Sequence, residues 1–188
     1  LLLLKMGLNP EESKDMECIF KILQGQVPYR DFFWHYGYFG LYVNAFLIKL
    51  LNLPDVLLPR FVVSIVFALS AVFAFRSASY FLPSSWAFLA TLLGFSGLVA
   101  REHTYGHIFA FFGVHIALWA GLSFIQHRNN RYLIFAGLAS GIALISKPLP
   151  LGVLAVLMFI FLMVYLKIFM NETIKKKSWV FILSVLIF

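Results

Sequence analysis

Residues 38–53, YFGLYVNAFLIKLLNL, decide the architecture of this chain. Either they cross a membrane as a short span or they lie along its surface. Their roughly 16 positions fall short of the ~20 that a spanning helix needs, and Asn44 and Lys49 sit inside the run. The reading adopted here is a helix lying in the interface. If 38–53 lies flat, the polar stretch before it shares a compartment with the connection 101–106 farther along. If it crosses, the bilayer separates the two.

Composition sets the class. Of 188 residues, 62% are hydrophobic and only 12% charged, with 22 Phe and a mean hydropathy of +0.90, whereas soluble domains carry about 25% charged residues. The expectation is an all-α, polytopic transmembrane protein. Helices are preferred over a barrel because the apolar runs are continuous rather than alternating. The formal charge of +7 comes mainly from Lys and Arg at span ends, where they orient the protein and meet anionic lipid. No basic groove with interleaved aromatics suggests nucleic acid. The single Cys18 cannot make an intrachain disulfide, and neither a Gly-rich phosphate loop nor a CxxC pattern is present.

Outward from 38–53, the N-terminal side opens with Leu1–Leu4, read as the end of a span, and Lys5 at the interface. Asn9, Pro10, Glu11 and Glu12 start a helix with a cap, a first-turn proline and acids at the positive end of the dipole. Met16, Ile19, Phe20 and Leu23 fall on its apolar face, with Asp15 at the edge of that stripe. Gly25 ends the helix and Pro28 opens the extended VPYRDFF. On the C-terminal side, about five spans are expected at 60–80, 83–100, 107–126, 132–147 and 151–167. The run 179–188 is too short to cross, so the whole of 1–188 is expected to be one transmembrane domain fragment, with 5–59 as its external loop. Arg76, Arg128 with Arg131, and Lys167 with Lys175–Lys177 share one side if successive spans form hairpins. By the positive-inside rule that side is cytoplasmic. The sequon at Asn171 then faces the cytoplasm and stays silent. Gly137 and Gly141 form a small-residue step suited to close helix contact.

Several polar side chains are candidates for chemistry. Asp15 and Asp31 flank the extended segment; a carboxylate near the bilayer serves as a general base, an acceptor-positioning group or a metal ligand, or is a solvated loop charge. Desolvation would raise its pKa, and a nearby Arg30 or Arg101 would oppose that. Arg101, Glu102, His103 and His107 gather where one span ends and the next begins. His103 and His107 are four apart, a spacing that binds zinc given a third ligand such as His35 or an acid and otherwise serves hydrogen bonding. Lys147, before Pro148 at the external end of a span, must snorkel or meet an anion such as a lipid phosphate. His115 reads as a packing residue. Trp34, Tyr36, Tyr38 and Tyr42 suit an aromatic belt and sugar stacking alike.

The run GQVPYRDFFWHYGYFGLYVNAFLIKLL (25–51), the Leu58-Pro59-Arg60 that opens a span, and GLASGIALISKPLPLGVLAVL (137–157) together resemble the GT-C superfamily of polyprenyl-phosphate-sugar-dependent glycosyltransferases. The nearest branch is the bacterial relatives of protein O-mannosyltransferases and the lipid A aminoarabinose transferase. The resemblance implies sugar transfer from a polyprenyl or dolichyl phosphate to a glycan, lipid or protein acceptor on the external face of the plasma membrane. It places the acid of the first external loop on Asp15, although the family's adjacent Asp-Glu is interrupted here by Met16 before Glu17. It puts a second acid at Glu102, and His35 where some members carry a metal-binding Glu. Asp15, Asp31 and Glu102 are thus the candidate catalytic acids. Arg30, His35, Tyr36, Arg101, His103 and Lys147 are the candidate substrate-binding residues. The cofactor stays open, with a divalent metal compatible but not required. The alternative from a different class is a transporter or flippase component handling a lipid phosphate or an ion.

Overall fold

The computed structural model describes residues 10–53, 57–99 and 105–169. They are all-helical: α1 (Pro10–Leu23), α2 (Phe39–Leu51), α3 (Leu57–Ala78), α4 (Ser84–Val99), α5 (Tyr105–His127), α6 (Asn130–Ser146) and α7 (Val153–Phe169), with a widened turn at Pro148–Gly152 between the last two. Leu1–Lys5, the sequon and the lysines after 169 lie outside the described residues.

Local sequence explains the boundaries. Glu11 and Glu12 occupy the first turn of α1 and Lys21 the last. At its C-terminus Gly25 takes φ 88°, with Gln26 N–H donating to Lys21 O at 3.0 Å and Gly25 N–H to Ile22 O at 2.9 Å, the pairing that a left-handed glycine makes at a helix end. Asn52, at φ 51°, closes α2 in the same conformation, which Asn tolerates better than most residues. Asn129 caps α6 by accepting the N–H of Arg131 at 3.1 Å. At the other end Lys147 turns extended because Pro148 disfavours helix in the residue before it.

Helices appear in each of the five places where a span was expected, with shifted ends. α3 starts ahead of Arg60, α5 starts at Tyr105 so that His107 falls in its first turn, and α7 starts only at Val153. α3 and α5, of 22 and 23 residues, are long and apolar enough to cross a membrane. α4, α6 and α7 have 16, 17 and 17 residues. α2 has 13, or about 20 Å of helix against a ~30 Å hydrocarbon core. It buries Gly40, Leu41, Asn44, Ala45 and Ile48 and exposes Tyr42, Phe46 and Leu50, so its one amide points inward and its aromatics outward.

α5 is central and packs most closely on α6. The small-residue step at Gly137 and Gly141 is buried, with Ala136, Ala139, Ser140 and Ala143 beside it. The tightest approach comes from the opposite helix: a Cβ on Gly113 would lie 2.6 Å from Ala139 O and 2.8 Å from Ala143 N. His115, read from the sequence as a packing residue, packs between helices with its ring nitrogen paired. Its Nδ1 lies 2.8 Å from Ser70 Oγ on α3, and the rings of Phe95 and Phe111 flank it. At one end of the bundle Met16, Ile19, Trp34, Leu41, Ile48 and Tyr105 form a core that joins α1 and α2 to the start of α5.

Candidate functional site

The site forms at that same end, where α3 and α5 begin and α6 stops. Asp15, placed by the sequence at the edge of an apolar stripe, is fully buried. Its Oδ2 accepts the backbone N–H of Tyr105 at 2.8 Å, so it lies at the positive N-terminus of α5, where a carboxylate is favoured. Its Oδ1 has no hydrogen-bond partner among the described residues. Burial pushes the Asp15 carboxyl up from 3.8 to about 7; the Tyr105 N–H opposes this, while Glu11 and Glu12 add to it. A carboxyl that titrates near neutrality with one free oxygen can take a proton from a hydroxyl.

Glu12, one turn before Asp15, is held by Arg60 of α3. Arg60 Nε donates to Oε1 at 2.6 Å and Nη2 to Oε2 at 2.7 Å, and both side chains are only 12% exposed. The Tyr105 hydroxyl donates to Glu12 Oε1 at 3.3 Å. Tyr105 is therefore gripped at its amide by Asp15 and at its phenol by Glu12.

A second group sits at the break after α6. Lys147 Nζ contacts His107 Nε2 and lies 5.1 Å from the centre of the Tyr36 ring, while Tyr36 meets His107 edge-on at 5.4 Å and His35 at 4.0 Å. Among the described residues no carboxylate forms an ion pair with Lys147; Glu11 faces it at longer range. The Tyr36 phenol is raised, first by burial and then by Glu11 and Asp15, which ties this group electrostatically to the acids of α1. The link is built by Gly37: its N–H donates to Ser146 O at 3.1 Å, and a Cβ there would fall 1.9 Å from Ile145 O. Only glycine lets the 34–37 loop lie against the end of α6.

Arg30 and Asp31 lie apart from these contacts and neutralise each other. Arg30 Nε and Nη2 donate to the Asp31 carboxylate at 2.9 and 2.8 Å, and Asp31 Oδ2 also accepts the Val27 N–H at 2.7 Å. Arg30 first, and then the Val27 N–H, hold the Asp31 carboxyl down at about 2. The pair closes a tight turn in which Tyr29 takes φ 66° and its hydroxyl donates to Tyr36 O.

The structure thus brings Asp15, His35, Tyr36 and Lys147 to one end of the bundle and gives Arg30 and Asp31 to a turn. Arg101, Glu102 and His103 lie outside the described residues. Among the described residues no group of three or more His, Cys, Asp or Glu side chains is placed to hold a metal ion, and His107 faces Lys147 and Tyr36. Sequence reasoning missed Glu11, Glu12, Arg60 and Tyr105 as neighbours of Asp15. The signal available for Arg60 was a cation near the start of an apolar helix, which demands an anion; nothing local named Glu12 as that anion. Comparison with known protein families, with curated proteins and with solved structures finds no match for this chain.

Proposed function

We propose that this chain is part of a multi-pass plasma-membrane glycosyltransferase, moving a sugar from a polyprenyl-phosphate-linked donor to a hydroxyl acceptor on the external face. The observation that carries the reading is the buried Asp15 carboxylate, one oxygen of which has no partner among the described residues, at the same end of the bundle as Lys147, a cation that forms no ion pair with a carboxylate among those residues. In the proposed step the acceptor O–H gives its proton to Asp15 as its oxygen bonds to the anomeric carbon. The bond from that carbon to the phosphate oxygen breaks, and the electron pair leaves with the lipid phosphate. Attack opposite the leaving group inverts the anomeric centre. Lys147 balances the phosphate charge, an electrostatic contribution that grows toward the transition state, and Tyr36 and His35 offer faces and donors for the sugar. α3 and α5 cross the membrane together with the shorter helices, and α2 lies in the outer interface.

The test has two arms on the full-length protein. In a Cys18→Ser background, cysteines at Ser13 and Gln126 are probed on intact cells with an impermeant thiol reagent; the reading expects Ser13→Cys to label and Gln126→Cys to stay protected. Proteoliposomes are then supplied with polyprenyl-phosphate hexoses and pentoses, and release of lipid phosphate is followed. Wild-type turnover that Asp15→Asn lowers at least about a hundredfold supports the base. Labelling of Gln126→Cys from outside, or full activity of Asp15→Asn, sinks the proposal.

A further inference from the structure

The acid helix grips one residue of the central helix twice, and behind that grip stands a pair with no part in the transfer step above. Glu12 and Asp15, three positions apart, share a face of α1 and both bind Tyr105. Arg60 holds Glu12 through two donors in a site almost closed to water. A two-point guanidinium–carboxylate contact fixes orientation as well as distance, so α3 sets how α1 is turned against α5.

We propose that Arg60 and Glu12 are a positioning pair for Asp15. By neutralising Glu12, the guanidinium sets both where the Asp15 carboxylate points and how easily it carries charge. As a statement about transfer this rests on Asp15 being the base; the coupling itself belongs to the fold and is measured without turnover. The groups that face Asp15 are Glu11, Glu12 and Cys18 on its own helix, Tyr105 on α5 and Tyr36 from the loop. Arg60 of α3 acts across Glu12, and Lys147 stands beyond Glu11. The buried face of α2 carries no charge. Like charges one helical turn apart oppose each other's ionisation. Taking the charge from Arg60 makes Asp15 harder to ionise, and taking it from Glu12 makes Asp15 easier to ionise. A merely structural pair behaves differently, because either substitution then breaks the same contact with the same result.

The experiment reacts the full chain in membranes with dicyclohexylcarbodiimide, which modifies protonated carboxyls, and reads the Asp15 adduct by peptide mass spectrometry across pH. Asp15→Asn supplies the blank. We expect the midpoint to rise by about one pH unit in Arg60→Gln and to fall by about one in Glu12→Gln, with the double variant back near wild type. Arg60→Lys, which keeps the charge, holds the wild-type midpoint and stands in if Arg60→Gln does not accumulate. Single variants that shift in the same direction, or a Glu12→Gln midpoint that does not move, overturn the pair. Opposite shifts in a protein that transfers no sugar would leave the pair standing and remove the glycosyltransferase reading.

Discussion

The carboxylate of Asp15 accepts the backbone N–H of Tyr105 at 2.8 Å although ninety positions separate the two residues. With the bond from the Tyr105 hydroxyl to Glu12, it joins the acid helix to the first residue of the central helix. It also requires that the end of α1 carrying the acids and the start of α5 lie on the same side of the bundle.

A pH-dependent stability follows from that placement. The folded Asp15 carboxyl sits near 7 rather than at its ordinary 3.8, so the folded state holds a proton that the unfolded chain has lost. Its contribution is full below about pH 4 and disappears as pH rises through about 7, on the order of a few kcal/mol. Asp15→Asn, which keeps an oxygen for the Tyr105 N–H, should abolish this loss and unfold with no such fall in temperature between about pH 4 and 7. Asp15→Ala leaves that N–H unpaired and should cost roughly 1–3 kcal/mol at any pH. Thermal unfolding in detergent separates the two.

Lys147 should govern the donor rather than the acceptor. Replacing it with Met removes a charge-assisted contact worth roughly 1.5–3 kcal/mol, so KM for the lipid-phosphate sugar should rise about tenfold or more. The acceptor KM should stay put. Initial rates over both substrates decide this, and an unchanged donor KM would take Lys147 out of the phosphate site.

Two glycines should resist even one added methyl. At Gly37 the new carbon meets the carbonyl of Ile145 and at Gly113 that of Ala139, and backbone cannot rotate away as a side chain can. Gly37→Ala and Gly113→Ala should each destabilise by about 1–3 kcal/mol or more. Gly94, with nothing among the described residues within 4 Å of the same carbon, is the control: inside α4, alanine there should be neutral or stabilise by up to about 1 kcal/mol. Equal unfolding temperatures for all three variants would contradict the packing described.

Asp31 and Asp15 should separate in function. Because Asp31 is occupied by Arg30 and the Val27 N–H, Asp31→Asn should slow transfer by less than about tenfold, a small part of the loss expected at Asp15. Its stabilising effect is present above the ordinary 3.8 and fades as pH falls toward about 2. Asp31→Ala should open the 27–32 turn and speed tryptic cutting at Arg30. A hundredfold loss of turnover in Asp31→Asn, with the turn still protected, would make Asp31 the better base.

Much of this was legible in residue order. Continuous apolar runs read as helices because backbone polar groups away from water must pair within the segment. The Gly25 stop and the break at Lys147-Pro148 each follow from one residue's backbone limits, whereas the Asn129 cap emerged only with the structure. Asp15 and Lys147 stood out because a charge among apolar neighbours needs an explanation. What residue order left open was who meets whom. By residue type alone Asp31 stood close behind Asp15, until the fold buried one and paired the other with its neighbour. Glu12 with Arg60, Asp15 with Tyr105, and Tyr36 with Lys147 are contacts between distant segments. They are set by how α1 and the 34–37 loop dock on the ends of α3, α5 and α6, where shape at Gly37 and the desolvation of each carboxylate select one arrangement. The sequence by itself determined the helices, the stops at Gly25 and Pro148, and the candidate charges. Only the tertiary structure decided which charges are buried, which are neutralised and which share a site, because burial and pairing are properties of segments brought together.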